Sequence, residues 1–237
     1  MRNVLTIAAK EIRSYFISAM AYVVLTFFFG VSGLIFCLYV GTQQAQADMQ
    51  GMFHSMLFLS LILSPVVTMG LLSSERASGT IELLMTKPVR DLEVALGKYL
   101  AALALYGIML LISFEFVIVM AKFGQLDWGA TLGGYLGLLL CGIAFLSIGI
   151  FASSVTDNQI AAAILGLLML LFFWLIGWLS SSVSPALGDI VKHISIYENF
   201  QDLEKGIIDS KSILYFLSLA GFMIFLTVRS LENRRTV

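Results

Sequence analysis

The chain has 237 residues, of which 59% are hydrophobic and only 12% charged, with a mean hydropathy of +0.94 and a formal net charge of −1. A soluble domain carries about 25% charged residues, so this balance excludes an ordinary soluble fold. The near-neutral charge and the absence of a long basic run give no nucleic-acid partner, and the two cysteines, Cys37 and Cys141, lie inside apolar runs, which excludes a disulfide framework or a cysteine metal site.

Residues 1–18, MRNVLTIAAKEIRSYFIS, are amphipathic: Val4, Ile7, Ala8, Ile12, Tyr15 and Phe16 share one helical face, while Lys10 and Arg13 turn away. The pattern predicts a helix lying in the inner membrane interface; an extension of the first spanning helix fits the same residues. Apolar runs follow at 20–40, 53–72, 99–121, 130–152, 160–179 and 213–228. Crossing a bilayer takes about 20 helical residues, so six transmembrane helices are expected, the last being the shortest. Ala45-Gln46-Ala47 has the form of a signal-peptidase site, but a first run of about 20 apolar residues suits an uncleaved anchor better.

Pro65 falls inside the second span, where it deletes a backbone hydrogen bond that neighbouring helices must compensate. Gly129, Gly133 and Gly137 open the fourth span as a small-residue stripe, which lets another helix approach closely. Residues 153–159, SSVTDNQ, form a tight turn between the fourth and fifth spans. Before the sixth, residues 181–212 carry Ile190, Ile194, Tyr197, Phe200 and Leu203 at helical spacing among charges, which predicts one or two short amphipathic helices resting at the outer surface.

With the N-terminus inside, the inner segments hold Arg2, Lys10, Arg13, Arg76, Lys87, Arg90, Lys98, Arg229, Arg234 and Arg235, against Lys122, Lys192, Lys205 and Lys211 outside. This asymmetry predicts both termini and residues 73–98 in the cytoplasm. Trp128, Trp174 and Trp178 then all fall near the outer interface, where indoles prefer to sit.

There is no G-x-x-x-x-G-K-[ST] phosphate loop, no H-E-x-x-H and no G-x-S-x-G. His54 and His193 fall at the outer ends of segments and are read as solvated. The chain is not expected to be an enzyme by itself, nor to hold a metal or cofactor of its own.

Residues 73–98, SSERASGTIELLMTKPVRDLEVALGK, carry eight charges. Burying them in lipid would cost roughly 20 kcal/mol or more, so the segment must be extramembranous. Gly79 breaks the preceding element, residues 80–86 are good helix formers, Pro88 stops continuation, and Asp91 can cap the next helix. The result is a helix of about two turns, with Glu82 in its first turn and Ile81, Leu84 and Met85 on one face. Such a helix is marginal alone. It packs either on the membrane surface or N-terminal helix, or into a groove on a cytoplasmic partner.

The pattern E-R-x-x-G-T-I-E-L-L-x-T-x-P-V, followed by G-K-Y-L, resembles the first cytoplasmic loop of ABC-2 type transporter permeases, most closely the branch of gliding-motility-associated permease subunits. GIFASSVTDNQIAA and FQDLEKGIIDSKSILYFLSL are similar to the same branch, so the resemblance runs over nearly the whole chain as one transmembrane domain. It implies an all-α membrane protein in a bacterial inner membrane, working as a dimer with itself or a similar permease on two separate cytoplasmic ATPase subunits. Those subunits would bind the ATP and magnesium, and the short helix would be the coupling helix that carries their closure to the spans. Glu75, Arg76, Gly79, Thr80, Glu82 and Pro88 fall on the family pattern; Ser74-Glu75 stands where relatives often carry paired acidic residues. An extracytoplasmic accessory protein is also compatible with the outer segment.

Glu115, in LLISFEFVIVMAK, lies seven residues before Lys122 and so about 10 Å below the outer helix end. A carboxylate there is a candidate for the translocation path; alternatively it reaches the outer interface or is protonated against a neighbouring helix. Two other functions fit the composition: an ion-coupled secondary transporter, and a non-transporting module relaying ATPase work to an extracytoplasmic apparatus. The first is disfavoured by the absence of an evident internal repeat.

Overall fold

The computed structural model describes residues 2–42, 49–79, 90–123, 126–177 and 193–235. Among these are eight helices: α1 (Arg2–Ile17), α2 (Met20–Thr42), α3 (Gln50–Ala77), α4 (Asp91–Phe123), α5 (Trp128–Val155), α6 (Gln159–Leu175), α7 (Ile196–Glu204) and α8 (Ser210–Arg235). Five of them, α2, α3, α4, α5 and α8, are long and apolar enough to cross a membrane. The fifth expected span corresponds to α6, which is apolar but has 17 residues, at the lower limit of about 17–25 for a spanning helix. The last span, expected to be the shortest, belongs to a helix of 26 residues. Its polar ends, Ser210-Lys211-Ser212 and the run after Val228, continue the helix beyond the apolar stretch.

The centre of the bundle is α3 against α5, with α6 and α8 flanking them. In α5, 78% of the most apolar window is buried and in α3 67%, against 22% in α2, so α2 presents most of its surface outward. Glycines make the central contacts close. A Cβ at Gly149 would fall 2.1 Å from Thr68 Oγ1 and one at Gly142 2.0 Å from the Tyr106 ring. The Tyr106 hydroxyl in turn donates to the Leu138 carbonyl at 2.9 Å.

Contacts between helix ends place the polypeptide in the bundle. Asn3 at the start of α1 bonds Glu93 of α4, Arg76 of α3 meets Asp157 in the α5–α6 turn, and Ser230 of α8 donates to the Ser154 carbonyl. Both terminal helices therefore converge at the end of the bundle where α3 leaves and α4 enters, here the loop end. Trp128, Trp174 and α7 lie at the far end, with Trp174 packed on Tyr197.

The first helix does not continue into α2: the chain bends at Ser18-Ala19, where the Ser18 hydroxyl donates to Tyr15 O and accepts from Met20 N. Its apolar face is covered mainly by α4. Gly97 permits this, since a Cβ there would lie 2.8 Å from Ile7 and 3.0 Å from the Val4 carbonyl. At the head of α4, Asp91 is the first helical residue, and it is the Glu93 carboxylate that accepts from the Arg90 amide, at 3.1 Å.

The Gly133 and Gly137 stripe is filled from within the chain, by α7. A Cβ at Gly133 would lie 2.4 Å from the Leu203 carbonyl oxygen and 2.9 Å from Gly206 Cα, and one at Gly137 3.0 Å from the Phe200 ring. Gly206 itself has φ +80, the left-handed turn that ends α7. The short helix α7 is therefore docked into the bundle, with Ile196, Phe200 and Leu203 fully buried.

Because the atoms nearest Gly133 are backbone, Gly133→Ala must displace α7 and should cost about 1–3 kcal/mol. Gly107, whose Cβ would meet nothing within 4 Å, should tolerate alanine with unchanged or slightly raised stability. Thermal unfolding of the two variants in one detergent checks the contrast.

Candidate loop-end coupling site

The loop end holds an unusual buried cation. Lys98, in the second turn of α4, is only 2% exposed, because α1 covers that face of α4. Its ammonium lies 3.0 Å from Glu11 Oε1 on α1 and 2.9 Å from Glu75 Oε1 on α3. Both carboxylates are largely sheltered, with side-chain exposures of 15% and 18%. A desolvated ammonium is strongly unfavourable unless paired, so the contact fixes three helices relative to one another.

Two further ties hold the same end of α3. The Tyr15 hydroxyl of α1 donates to the Val67 carbonyl at 2.9 Å; burial, with the Glu11 carboxylate second, pushes this phenol well up, so it stays a donor. From α5, the Ser153 hydroxyl accepts from the amides of Leu72 and Ser73, each at 3.1 Å, and donates to the Met69 carbonyl at 2.8 Å. A hydroxyl placed between groups of another helix's ladder is a recognised cause of bending. It sits one turn beyond Pro65, which supplies no amide to that ladder.

Of the expected coupling residues, Glu75 and Arg76 are placed by the last turn of α3. Arg76 is buried, its Nη1 3.8 Å from Asp157 Oδ1 at the exposed α5–α6 turn. Gly79 ends the helix as expected: it has φ +69 and its amide donates to the Arg76 carbonyl at 3.0 Å. Thr80, Ile81, Glu82, Leu84, Met85 and Pro88 lie outside the described residues. Glu115 is on the exposed face of α4 with Leu111, Ile112 and Ile118, away from the interior of this chain's bundle. His54 and His193 part ways. His193 is exposed, whereas His54, read as solvated, packs against Tyr197, Phe200 and Glu204 of α7.

Sequence reasoning missed the partnership of Lys98 with Glu11, and the roles of Ser153 and Asp157. Lys98 entered as one of the inner positive charges and as part of the G-K-Y-L that follows the loop pattern, with no partner assigned to it. The available signal was its position within α4, facing the amphipathic N-terminal segment that carries Glu11. Among the described residues, no group of three or more His, Cys, Asp or Glu side chains is placed to hold a metal ion.

The family model described as ABC-2 family transporter protein matches residues 5–228, which includes Glu11, Tyr15, Glu75, Arg76, Lys98, Ser153 and Asp157. No curated protein matches the chain.

Lys98→Met would leave two sheltered carboxylates facing each other without their cation and should destabilise the protein by about 3–5 kcal/mol. Adding Glu11→Gln and Glu75→Gln to it should restore part of the loss, because the three charges act as a unit. Thermal unfolding of the single and triple variants in detergent measures the difference.

Proposed function

The chain belongs to the ABC-2 family of transporter proteins, and from that premise we propose that it is the permease subunit of an ABC transporter, driven through its loop end by separate ATPase subunits. The subunit spans a bacterial inner membrane with six helices, α6 being the fifth, and both termini are cytoplasmic. Two permeases, identical or similar, sit on two ATPase subunits that bind the ATP and magnesium. Residues 80–86 would be the coupling helix, with Ile81, Leu84 and Met85 against the ATPase, Thr80 and Glu82 in its first turn and Pro88 stopping its continuation. The sequence motifs around residues 149–162 and 200–219 support the gliding-motility-associated branch of the family.

The observation that carries this reading is the ionic contact among Lys98, Glu11 and Glu75. It joins the helix entering the loop, the helix leaving it and the N-terminal helix. A push on residues 80–88 then moves three elements together, and the Ser153 and Arg76–Asp157 contacts pass the motion to α5 and α6. A solvated loop has no need of such a frame. Glu115, exposed on one chain, becomes buried where permeases pair or where a translocation path runs between them, which gives an intramembrane carboxylate the surroundings it requires.

The purified chain alone should hydrolyse no ATP. Leu84→Asp should lower recovery of the co-purifying ATPase at least about tenfold, a loss of 1.4 kcal/mol or more of binding, while Ile194→Asp at the far end leaves recovery intact. Equal recovery with both variants contradicts the assignment. Glu115→Gln should change the ATPase rate of the assembled complex more than it changes expression; an unchanged rate would remove this carboxylate from the path.

A further inference from the structure

Two cations of the N-terminal helix stand apart from the ion pairs of the loop end. Lys10 and Arg13 of α1 are both exposed, and neither makes an ion pair among the described residues, whereas Arg76, Lys98 and Arg229 each do. They are three residues apart, so both project from the same side of the helix. The one acidic residue of α1, Glu11, points the other way, to Lys98, so the charge on the exposed side is of one sign. Ala9 and Ser14, exposed beside them, are small and leave room around both side chains.

Three contacts fix the depth of this strip. Asn3 meets Glu93, five residues on the loop side of Lys98 in α4, and Glu11 meets Lys98 itself. The Tyr15 hydroxyl reaches the Val67 carbonyl, eight residues along α3 from Glu75 and so about 12 Å deeper into the bundle. Helix α1 therefore climbs obliquely from the loop toward the spans, and Lys10 and Arg13, on either side of Glu11 in sequence, lie near the level of Lys98 and Glu75. That level is where the apolar stretches end: the run in α3 stops at Leu72, the run in α4 starts at Tyr99, and α2 starts at Met20. Beyond the cations, Ile17 (74% exposed) and Tyr22 (57% exposed) face outward at the start of the span, with Phe16 edge-on to Tyr22 at 6.1 Å. Cations at headgroup level beside apolar and aromatic side chains are the arrangement of a helix that lies on a membrane.

We propose that Lys10 and Arg13 form a recognition strip for the phosphate of an anionic phospholipid in the leaflet at the loop end. A guanidinium holds a phosphate through two parallel N–H donors, and an ammonium three residues away adds a second charge. A zwitterionic headgroup brings its own ammonium, which these cations repel. A phosphatidylglycerol headgroup brings none, so the strip prefers lipid of net negative charge. The occupant is lipid rather than another protein surface because Ile17, four residues beyond Arg13 on the same side, carries that side into the apolar layer. Since α1 is locked to α3 and α4 through Lys98, a headgroup held here fixes the loop end against the bilayer surface. The inference needs only that the long apolar helices cross a bilayer, and it stands whether or not the ATPase reading does.

The test uses the full chain, without any ATPase, in nanodiscs of mixed phosphatidylcholine and phosphatidylglycerol. The exposed Cys37 is changed to Ser, and a bimane fluorophore is carried on a cysteine at Ser14, exposed on α1. Quenching by phosphatidylglycerol with a nitroxide high on its acyl chain is compared with quenching by the matching phosphatidylcholine. At equal mole fraction the anionic lipid should quench at least about threefold more, as two cations at a membrane surface would produce. Lys10→Gln together with Arg13→Gln should bring the ratio to about one, and because both side chains are exposed the fold is retained. The same fluorophore at Ile160, exposed at the same end on α6, should give a ratio of about one. Equal quenching at Ser14 with Lys10 and Arg13 in place overturns the proposal, because the strip then faces water or protein. So does a threefold preference that persists in the Gln pair, or one equally strong at Ile160, because other groups would then be gathering the lipid.

Discussion

An ammonium group removed from water must be matched by negative charge, and Lys98 is matched by carboxylates from two other helices, Glu11 on α1 and Glu75 on α3. The desolvation of Lys98 is a consequence of packing: Gly97 lets α1 lie against α4, and α1 then covers the lysine. Once that packing exists, neither carboxylate can leave without exposing the other two charges to an apolar setting. The ionic contact is therefore less a source of net stability than a constraint on geometry. It makes the relative positions of α1, α3 and α4 at the loop end interdependent.

The rest of the loop end extends this frame. Tyr15 ties α1 to α3 through the Val67 carbonyl, and Ser153 ties α5 to α3 through three backbone groups. Arg76 faces Asp157 in the turn that leads into α6, and Ser230 brings in α8 through the Ser154 carbonyl. The far end is organised differently. There the chain relies on glycine-permitted packing of one short helix against α5 and on the contacts of His54 on α3 with Tyr197 and Glu204.

Much of this architecture was legible from hydropathy, because membrane spans announce themselves through length and apolarity alone. The bounds were less so. The C-terminal helix continues past Val228 through Arg229 and Glu232, which pair with each other at 2.8 Å and carry the helix into a polar setting that an apolar window stops short of. The start of α4 was misplaced for a similar reason. Asp91 had the right chemistry for a cap, but Glu93 reaches the Arg90 amide from inside the helix. Gly79 was legible because a left-handed helix end nearly demands glycine. Lys98 was not, since its partner Glu11 is 87 residues away and only packing brings them together. His54 was misread as solvated because its partners, Tyr197 and Glu204, belong to a helix whose docking depends on glycines far along the chain.

The claim on which the functional account rests is that α1 and the two flanks of residues 80–89 respond as one body. Hydrogen–deuterium exchange on the complex with its ATPase in nanodiscs, with and without ATP, tests it directly. Amides at 2–17, 70–79 and 90–98 are expected to change protection together when ATP is added, and Lys98→Met is expected to uncouple 2–17 from the other two. A change confined to residues 80–89, with all three flanking segments unaltered, would contradict it.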